Sequence, residues 1–279
     1  MSKIQQTKGT FRLNGKSNIE KVSSKDFGWM QKANMTVKTL KDNFVGVTFE
    51  TKNGNGLDVS IKNVGDEKSH KVDHLNVVNE LKDTFKNDDM LFVMGVVDYD
   101  TYRKEFVLKP TGVYHSDKNY DDEEFKETNF VEQEFIFDSF NGKVAKLNVV
   151  SYFGEVNEVE MRIDDEIKEE FESFKTGDLL KLVFSVINKP IYVDKEDKKG
   201  VYKPKGKGVI NTNSNKKTID GYETYNIIVG IANVESGKYT RKDIRETQEE
   251  FERKQAEYAA TKADSKSQVE NNNDDDLPY

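Results

Sequence analysis

The chain has 279 residues, 34% of them charged and 35% hydrophobic, with 11% aromatics and a formal net charge of -8. It contains no cysteine, which excludes disulfide scaffolds, thiolate zinc sites, iron–sulfur clusters and cysteine nucleophiles. Apolar runs such as Met90-Leu91-Phe92-Val93-Met94 are far too short to span a bilayer, and Met1 to Gln5 opens no apolar leader, so a soluble cytoplasmic protein is expected.

Alternation dominates the first stretch. Trp29, Ala33, Met35 and Val37 fall on one side of a strand and Lys32, Asn34, Thr36 and Lys38 on the other, which places Trp29 with the core. Val45, Val47 and Phe49 continue the pattern with Phe44 opposite, and Leu57, Val59 and Ile61 follow the turn signal Asn53-Gly54-Asn55-Gly56. The period then changes. Leu75, Val78 and Phe85 repeat at helical spacing, which predicts an amphipathic helix over 72–86 ended by Asn87-Asp88-Asp89. Two strands, 90–99 and 102–109, follow around a turn at Asp100-Thr101.

Residues 115–128 are acidic and without period, and read as a linker. The same order then returns: strands over 130–138, 144–153 and 157–163, a helix near 164–175, a strand over 179–188, and a last strand over 225–233 delayed by an insertion. From about 240 to 261 the composition is helical, with Ile244, Phe251 and Tyr258 forming a thin apolar stripe. Polar, low-complexity residues follow.

Five strands with a helix between the third and fourth is the order of the OB-fold, a Greek-key barrel. The expected fold is therefore mainly β: two tandem OB-fold-like five-stranded barrels, each with a helix between strands three and four, then a C-terminal helix and a disordered acidic tail. The expected boundaries are 1–114 for the first barrel, 115–128 for the linker and 129–236 for the second barrel with its basic insertion 188–222. The helix takes 237–263 and the tail 264–279. Two small α+β sandwiches of unrelated topology are the alternative.

Enzymatic patterns are sparse. His70 and His74 are spaced for one helix face but straddle a predicted helix start, and the bare Gly-x-Gly pairs at Gly54 and Gly206 lack a third glycine. Asp164-Asp165-Glu166 suits either magnesium or the positive end of a helix dipole. No cofactor, no metal and no catalytic residue is expected.

Charge is uneven. Residues 1–52 hold ten Lys and Arg against four Asp and Glu, net +6, and residues 188–218 hold nine Lys against three acids, again net +6. OB barrels bind single strands by stacking bases on flat side chains and pairing phosphates with cations. The candidate nucleic-acid contacts are Lys32, Asn34, Lys38 and Phe44 on the outer face of the first barrel, and Tyr99, Tyr102 and Arg103 at its last hairpin. Lys146 and Tyr152 belong to the second barrel; Tyr192, Lys198, Lys199, Tyr202, Lys203, Lys205 and Lys207 lie in the insertion. Aromatics interleaved with lysines suit a loop that closes over a strand.

The chain ends in Asp274-Asp275-Asp276-Leu277-Pro278-Tyr279. This tip resembles that of bacterial single-stranded DNA-binding proteins, which end in Asp-Asp-Asp-Ile-Pro-Phe. The tandem body, with Gly9-Thr10-Phe11-Arg12-Leu13-Asn14-Gly15-Lys16 and Trp29, is similar to bacteriophage single-stranded DNA-binding proteins of the replication protein A type. The resemblance implies a protein without catalysis that coats exposed strands in DNA replication, recombination or repair. It also implies that Asp274, Asp275, Asp276, Leu277, Pro278 and Tyr279 recruit partner enzymes, in the host-cell cytoplasm. An RNA-binding or strand-annealing protein, a carboxylate-dependent nuclease and a structural OB protein remain alternatives.

Overall fold

The computed structural model describes residues 4–39, 42–52, 55–56, 58–73, 76–194 and 217–271. Among the described residues, fourteen strands form one hydrogen-bonded network. The first half holds β1 (Gly9–Ser17), β2 (Ser23–Asp26), β3 (Met30–Lys38), β4 (Phe44–Lys52), β5 (Asn55–Gly56), β6 (Val59–Lys62) and β7 (His70–Val72). Helix α1 (Val77–Thr84) then precedes β8 (Met90–Asp100) and β9 (Glu105–His115). The second half holds β10 (Asn129–Phe140), β11 (Val144–Val150) and β12 (Val156–Ile163), a 3-10 turn leading into α2 (Lys168–Phe171), then β13 (Leu179–Asp194) and β14 (Lys217–Glu235). Helix α3 (Arg241–Asn271) ends the described chain.

The second half closes into a five-stranded barrel. β10 pairs with β11, β11 with β12, β12 in parallel with β14, β14 with β13, and β13 again with β10. In the first half β1 pairs with both β3 and β8, β3 with β4, β8 with β9, and β9 in parallel with β6. β1 changes partner partway along. A side chain at Gly15 would place its Cβ 2.1 Å from the Lys38 carbonyl oxygen, so the crossing over β3 requires glycine there.

The halves are joined by more than the linker. β1 pairs antiparallel with β10 from Gly9–Gln133 to Leu13–Asn129. Buried residues from Phe11 to Ile228 form one continuous apolar cluster. Phe106, on β9, sits 5.1 Å from Phe184 and 5.9 Å from Phe135, both fully buried in the second half. Even the acidic segment is anchored: the Tyr120 hydroxyl donates to the Lys38 carbonyl and accepts from the Lys16 N–H at 3.1 Å.

Several elements differ from the expected ones. The helix expected over 72–86 begins only at Val77, because His70–Val72 pairs with β6 instead. In place of a helix over 164–175 there is a 3-10 turn and a single α turn. Asp164 accepts from the Glu166 N–H at 3.1 Å, a capping role, and Asp165 pairs with Lys168. The strand expected from Tyr102 starts at Glu105, since Asp100 Oδ1 accepts from the Tyr102 and Arg103 N–H groups and Lys104 takes φ 57°.

The largest difference lies in the insertion. Its two flanks are strands, not loop: pairing continues outward from Asn188–Thr224 to Asp194–Lys217. Tyr192 facing Ile219 supplies an aromatic–β-branched pair of the kind that stabilises such a ribbon. Pro190 is tolerated because β13 pairs on one side only at that level among the described residues. Helix α3 continues past residue 263. Only the start of its stripe docks: Ile244 packs with Ile4, Ile136 and Val150, and the Gln248 side chain accepts from the Val156 N–H at 3.0 Å, whereas Tyr258 is exposed.

Candidate nucleic-acid interface

On β3 and β4 the alternation that buries Ala33, Met35, Val45 and Val47 turns Lys32, Asn34, Phe44 and Thr48 outward. On β12 it buries Val159, Met161 and Ile163 and turns Glu158, Glu160 and Arg162 outward. These two faces, with the β8–β9 turn and the base of the β13–β14 ribbon, enclose a groove of about 910 Å³. Lys25, Lys32, Arg103, Lys104 and Arg162 line it against Glu105 and Glu160, so its lining is net basic on an acidic chain. Phe27, Phe44 and Tyr225 supply flat apolar surface in the same groove.

The groove is held in shape by two side-chain amides, Asn43, which is buried, and Asn188, which is half-buried. Asn43 Nδ2 donates to the Val186 carbonyl at 3.0 Å and to Thr39 Oγ1 at 3.1 Å, while its Oδ1 accepts from the Asn188 N–H at 2.6 Å. Asn188 Nδ2 donates to the Phe44 carbonyl at 2.9 Å and its Oδ1 accepts from the Thr224 hydroxyl at 2.9 Å. These bonds tie the ribbon base to the β3–β4 connection. Cross-strand partners share a face, so beyond Asn188–Thr224 that face continues with Pro190–Tyr222 and Tyr192–Ile219.

Most cations here already have carboxylate partners. Lys32 lies 3.4 Å from Glu50, which also meets Lys52 at 2.9 Å and Lys109 at 3.7 Å. Burial pushes the Glu50 carboxyl up, but the hydrogen bond from Lys52 and the charges of Lys109, Lys52 and Lys32 outweigh it and hold the group below its ordinary value. Lys38 pairs with Asp42 at 2.6 Å, and that hydrogen bond raises its ammonium above the usual range. The same ammonium lies 5.6 Å from the Phe44 ring centroid. Arg103 contacts Glu105 at 3.4 Å and Asp100 at 3.9 Å. The Lys38–Asp42 and Arg103–Glu105 pairs are exposed, a kind worth about 0–1 kcal/mol that a phosphate can displace, whereas Glu50, its side chain only 7% exposed, holds Lys32 in a more buried cluster.

Of the expected contacts, Lys32, Asn34, Phe44 and Arg103 line the groove. Lys38 stands at the end of β3, close enough to Tyr192 on the ribbon for the two to interact electrostatically. Tyr102, 95% exposed, tops the β8–β9 turn. Tyr99 packs edge-on against Phe106 at 5.2 Å and is not part of the lining; burial raises its hydroxyl. Lys146, paired with Glu160 at 3.3 Å and Glu158 at 3.5 Å, is also outside the lining. Tyr152 is in the β11–β12 turn, edge-on to Phe153, the two rings 77% and 75% exposed. Lys198, Lys199, Tyr202, Lys203, Lys205 and Lys207, like Asp274 to Tyr279, lie outside the described residues.

Trp29 overturns its expected place: it is 57% exposed. Its phase with Ala33, Met35 and Val37 is right, but β3 begins at Met30 and Trp29 belongs to the turn before it. The signal for this turn was the run Asp26-Phe27-Gly28-Trp29. Asp26 Oδ1 accepts from the Gly28 N–H at 2.7 Å and Gly28 takes φ 80°, which leaves both flanking rings outside the sheet. Phe27, Arg162 and Tyr225 were also missed; alternation faces Arg162 outward, but only the pairing of β12 with β14 sets it beside Tyr225. His70 contacts Glu80 at 2.7 Å, while His74 lies outside the described residues.

No protein-family model and no curated protein matches the chain. Among solved structures, a deletion mutant of the single-stranded DNA-binding protein from Thermus aquaticus is similar at 10% identity and a TM-score of 0.38, over 66% of this chain and 88% of that one. The wild-type protein of that organism is similar at 12% identity and a TM-score of 0.33, over 66% and 85%. Both scores are too low to assign a family.

Proposed function

We propose that the chain binds single-stranded DNA in this groove, with little sequence preference and without catalysis, and coats strands exposed during replication, recombination or repair. The observation that carries the reading is a single groove lined by the rings of Phe27 and Phe44 together with Lys25, Lys32 and Arg162. Such a lining offers π-faces to bases and cations to phosphates, the two contacts that sequence-tolerant strand binding requires. The barrel's strand order is the OB order. In the first half, β1, β3, β4 with β6, β8 and β9 read as a second barrel of the same plan, with α1 between its third and fourth strands. The ribbon, carrying Tyr192 and Tyr222 and the lysines beyond Asp194, is read as a clamp over the strand. A bacteriophage setting is proposed from the resemblance of the tandem body and its opening segment Gly9 to Lys16.

The test is a binding series with single-stranded DNA, duplex DNA and RNA at two salt concentrations. Single strands are expected to bind ahead of duplex, with affinity falling as salt rises because phosphate neutralisation releases counterions. Equal affinity for duplex, or an affinity indifferent to salt, would refute the reading; preference for RNA would replace DNA by RNA as the ligand. The tip Asp274 to Tyr279 is proposed to carry Leu277 and the terminal ring to an apolar pocket rimmed by cations on a replication or repair enzyme. Deleting those six residues is expected to leave strand binding unchanged, or slightly tighter at low salt, and to abolish capture of such an enzyme. If the deletion and Tyr279→Ala capture the same enzymes as the intact chain, the tip has no recruiting role.

A further inference from the structure

One arginine of the groove is held differently from its neighbours. The Arg162 guanidinium carbon lies 4.1 Å from the centroid of the Tyr225 ring, across the parallel pairing of β12 with β14. Its Nη1 is 3.5 Å from Glu223 Oε1, a long contact between side chains 56% and 54% exposed. A free arginine on a surface samples many rotamers; a guanidinium stacked on a ring keeps its plane fixed while its N–H edges stay available. The two outward carboxylates of β12, Glu158 and Glu160, are engaged by Lys146 at 3.5 and 3.3 Å. Glu223 is therefore the acid that shares Arg162, and at that distance and exposure it is a weak competitor.

We infer that Arg162 is the phosphodiester fork of the groove: Tyr225 holds its plane, and one phosphate of the bound strand takes it from Glu223. This rests on the groove being the single-strand site. A planar guanidinium donates two parallel N–H bonds to phosphate oxygens, which a lysine cannot reproduce, and a pre-set plane reduces the ordering cost of binding. Tyr225 is a positioning residue here, since it acts through Arg162.

The experiment is titration of a labelled oligothymidylate over a series of salt concentrations, using the full chain, with melting curves as the check on folding. Arg162→Ala is expected to weaken binding about tenfold or more, the loss of hydrogen bonds to a charged group. It should also reduce the slope of log affinity against log salt by about 0.7, the share of one phosphate on a single strand. Arg162→Lys should keep the slope and lose affinity. Tyr225→Leu should lose affinity with the slope unchanged. Glu223→Gln should bind more tightly, because the competing carboxylate is gone; a purely structural ion pair would give the opposite sign.

Wild-type affinity and slope in Arg162→Ala would overturn the inference alone. So would a loss of affinity with an unchanged slope, which assigns the guanidinium to a base. Weaker binding by Glu223→Gln would overturn it as well. Failure of the intact chain to bind oligothymidylate at low salt would sink the reading of the groove, and the role of Arg162 with it.

Discussion

Phe184→Ala is expected to cost about 3–5 kcal/mol, the usual loss for emptying a fully buried phenylalanine site, and to destabilise both halves of the chain together. Phe184 belongs to the second half, yet its nearest ring is Phe106 of the first, at 5.1 Å, with Phe135 at 6.1 Å. Removing it leaves a cavity at the seam between the halves, where neither can collapse inward without pulling on the other. Trp29 is the chain's one tryptophan and lies in the first half, so its fluorescence reports on the half that was not mutated. Urea unfolding followed by Trp29 emission and by far-ultraviolet circular dichroism should show both midpoints falling by the same amount. A Trp29 midpoint that stays at its wild-type value while the dichroism midpoint falls would mean that the halves unfold independently.

The second large effect is expected at Asn43. This buried amide satisfies the Asn188 N–H, the Val186 carbonyl and the Thr39 hydroxyl at once. Asn43→Ala should cost about 1–3 kcal/mol, because the half-buried Asn188 N–H loses its acceptor and the Val186 carbonyl its donor. Strand affinity should fall as well. The ribbon base would no longer be tied to the β3–β4 connection, and an unanchored wall must be ordered when the strand binds. Asn43→Asp keeps the acceptor for Asn188 and loses the donor to Val186, so an intermediate loss is expected. Calorimetric melting together with oligothymidylate binding checks both. Loss of stability with unchanged affinity would show that the groove does not depend on the ribbon's position.

Much of the β architecture was legible from alternation alone. Ala33, Met35 and Val37 were assigned to a buried face by period two, and each is buried; the strand expected over 157–163 buries Val159, Met161 and Ile163 by the same alternation. The outward faces carrying Lys32, Asn34 and Arg162 follow from the same parity. Element ends were less legible, because they depend on hydrogen bonds that cross long sequence distances or close small turns. Trp29 illustrates this: its parity matches the core, but Asp26 and Gly28 end the hairpin one residue before the strand begins. Likewise the flanks of the basic insertion carry lysines and a proline that suggest loop, and each flank becomes a strand by pairing with the other.

The order of strands and helices, the period of each buried face and the basic bias of the first and insertion segments all reside in short stretches of chain, within reach of side-chain spacing and composition. The groove does not. Phe27, Phe44, Arg162 and Tyr225 are brought together by β1 pairing with β10, by β12 pairing with β14, and by Asn43 reaching across 145 positions to Asn188. No local pattern encodes those meetings. They are selected by the burial of Phe106 against Phe135 and Phe184 and by the satisfaction of buried amides, both of which exist only once the two halves have packed.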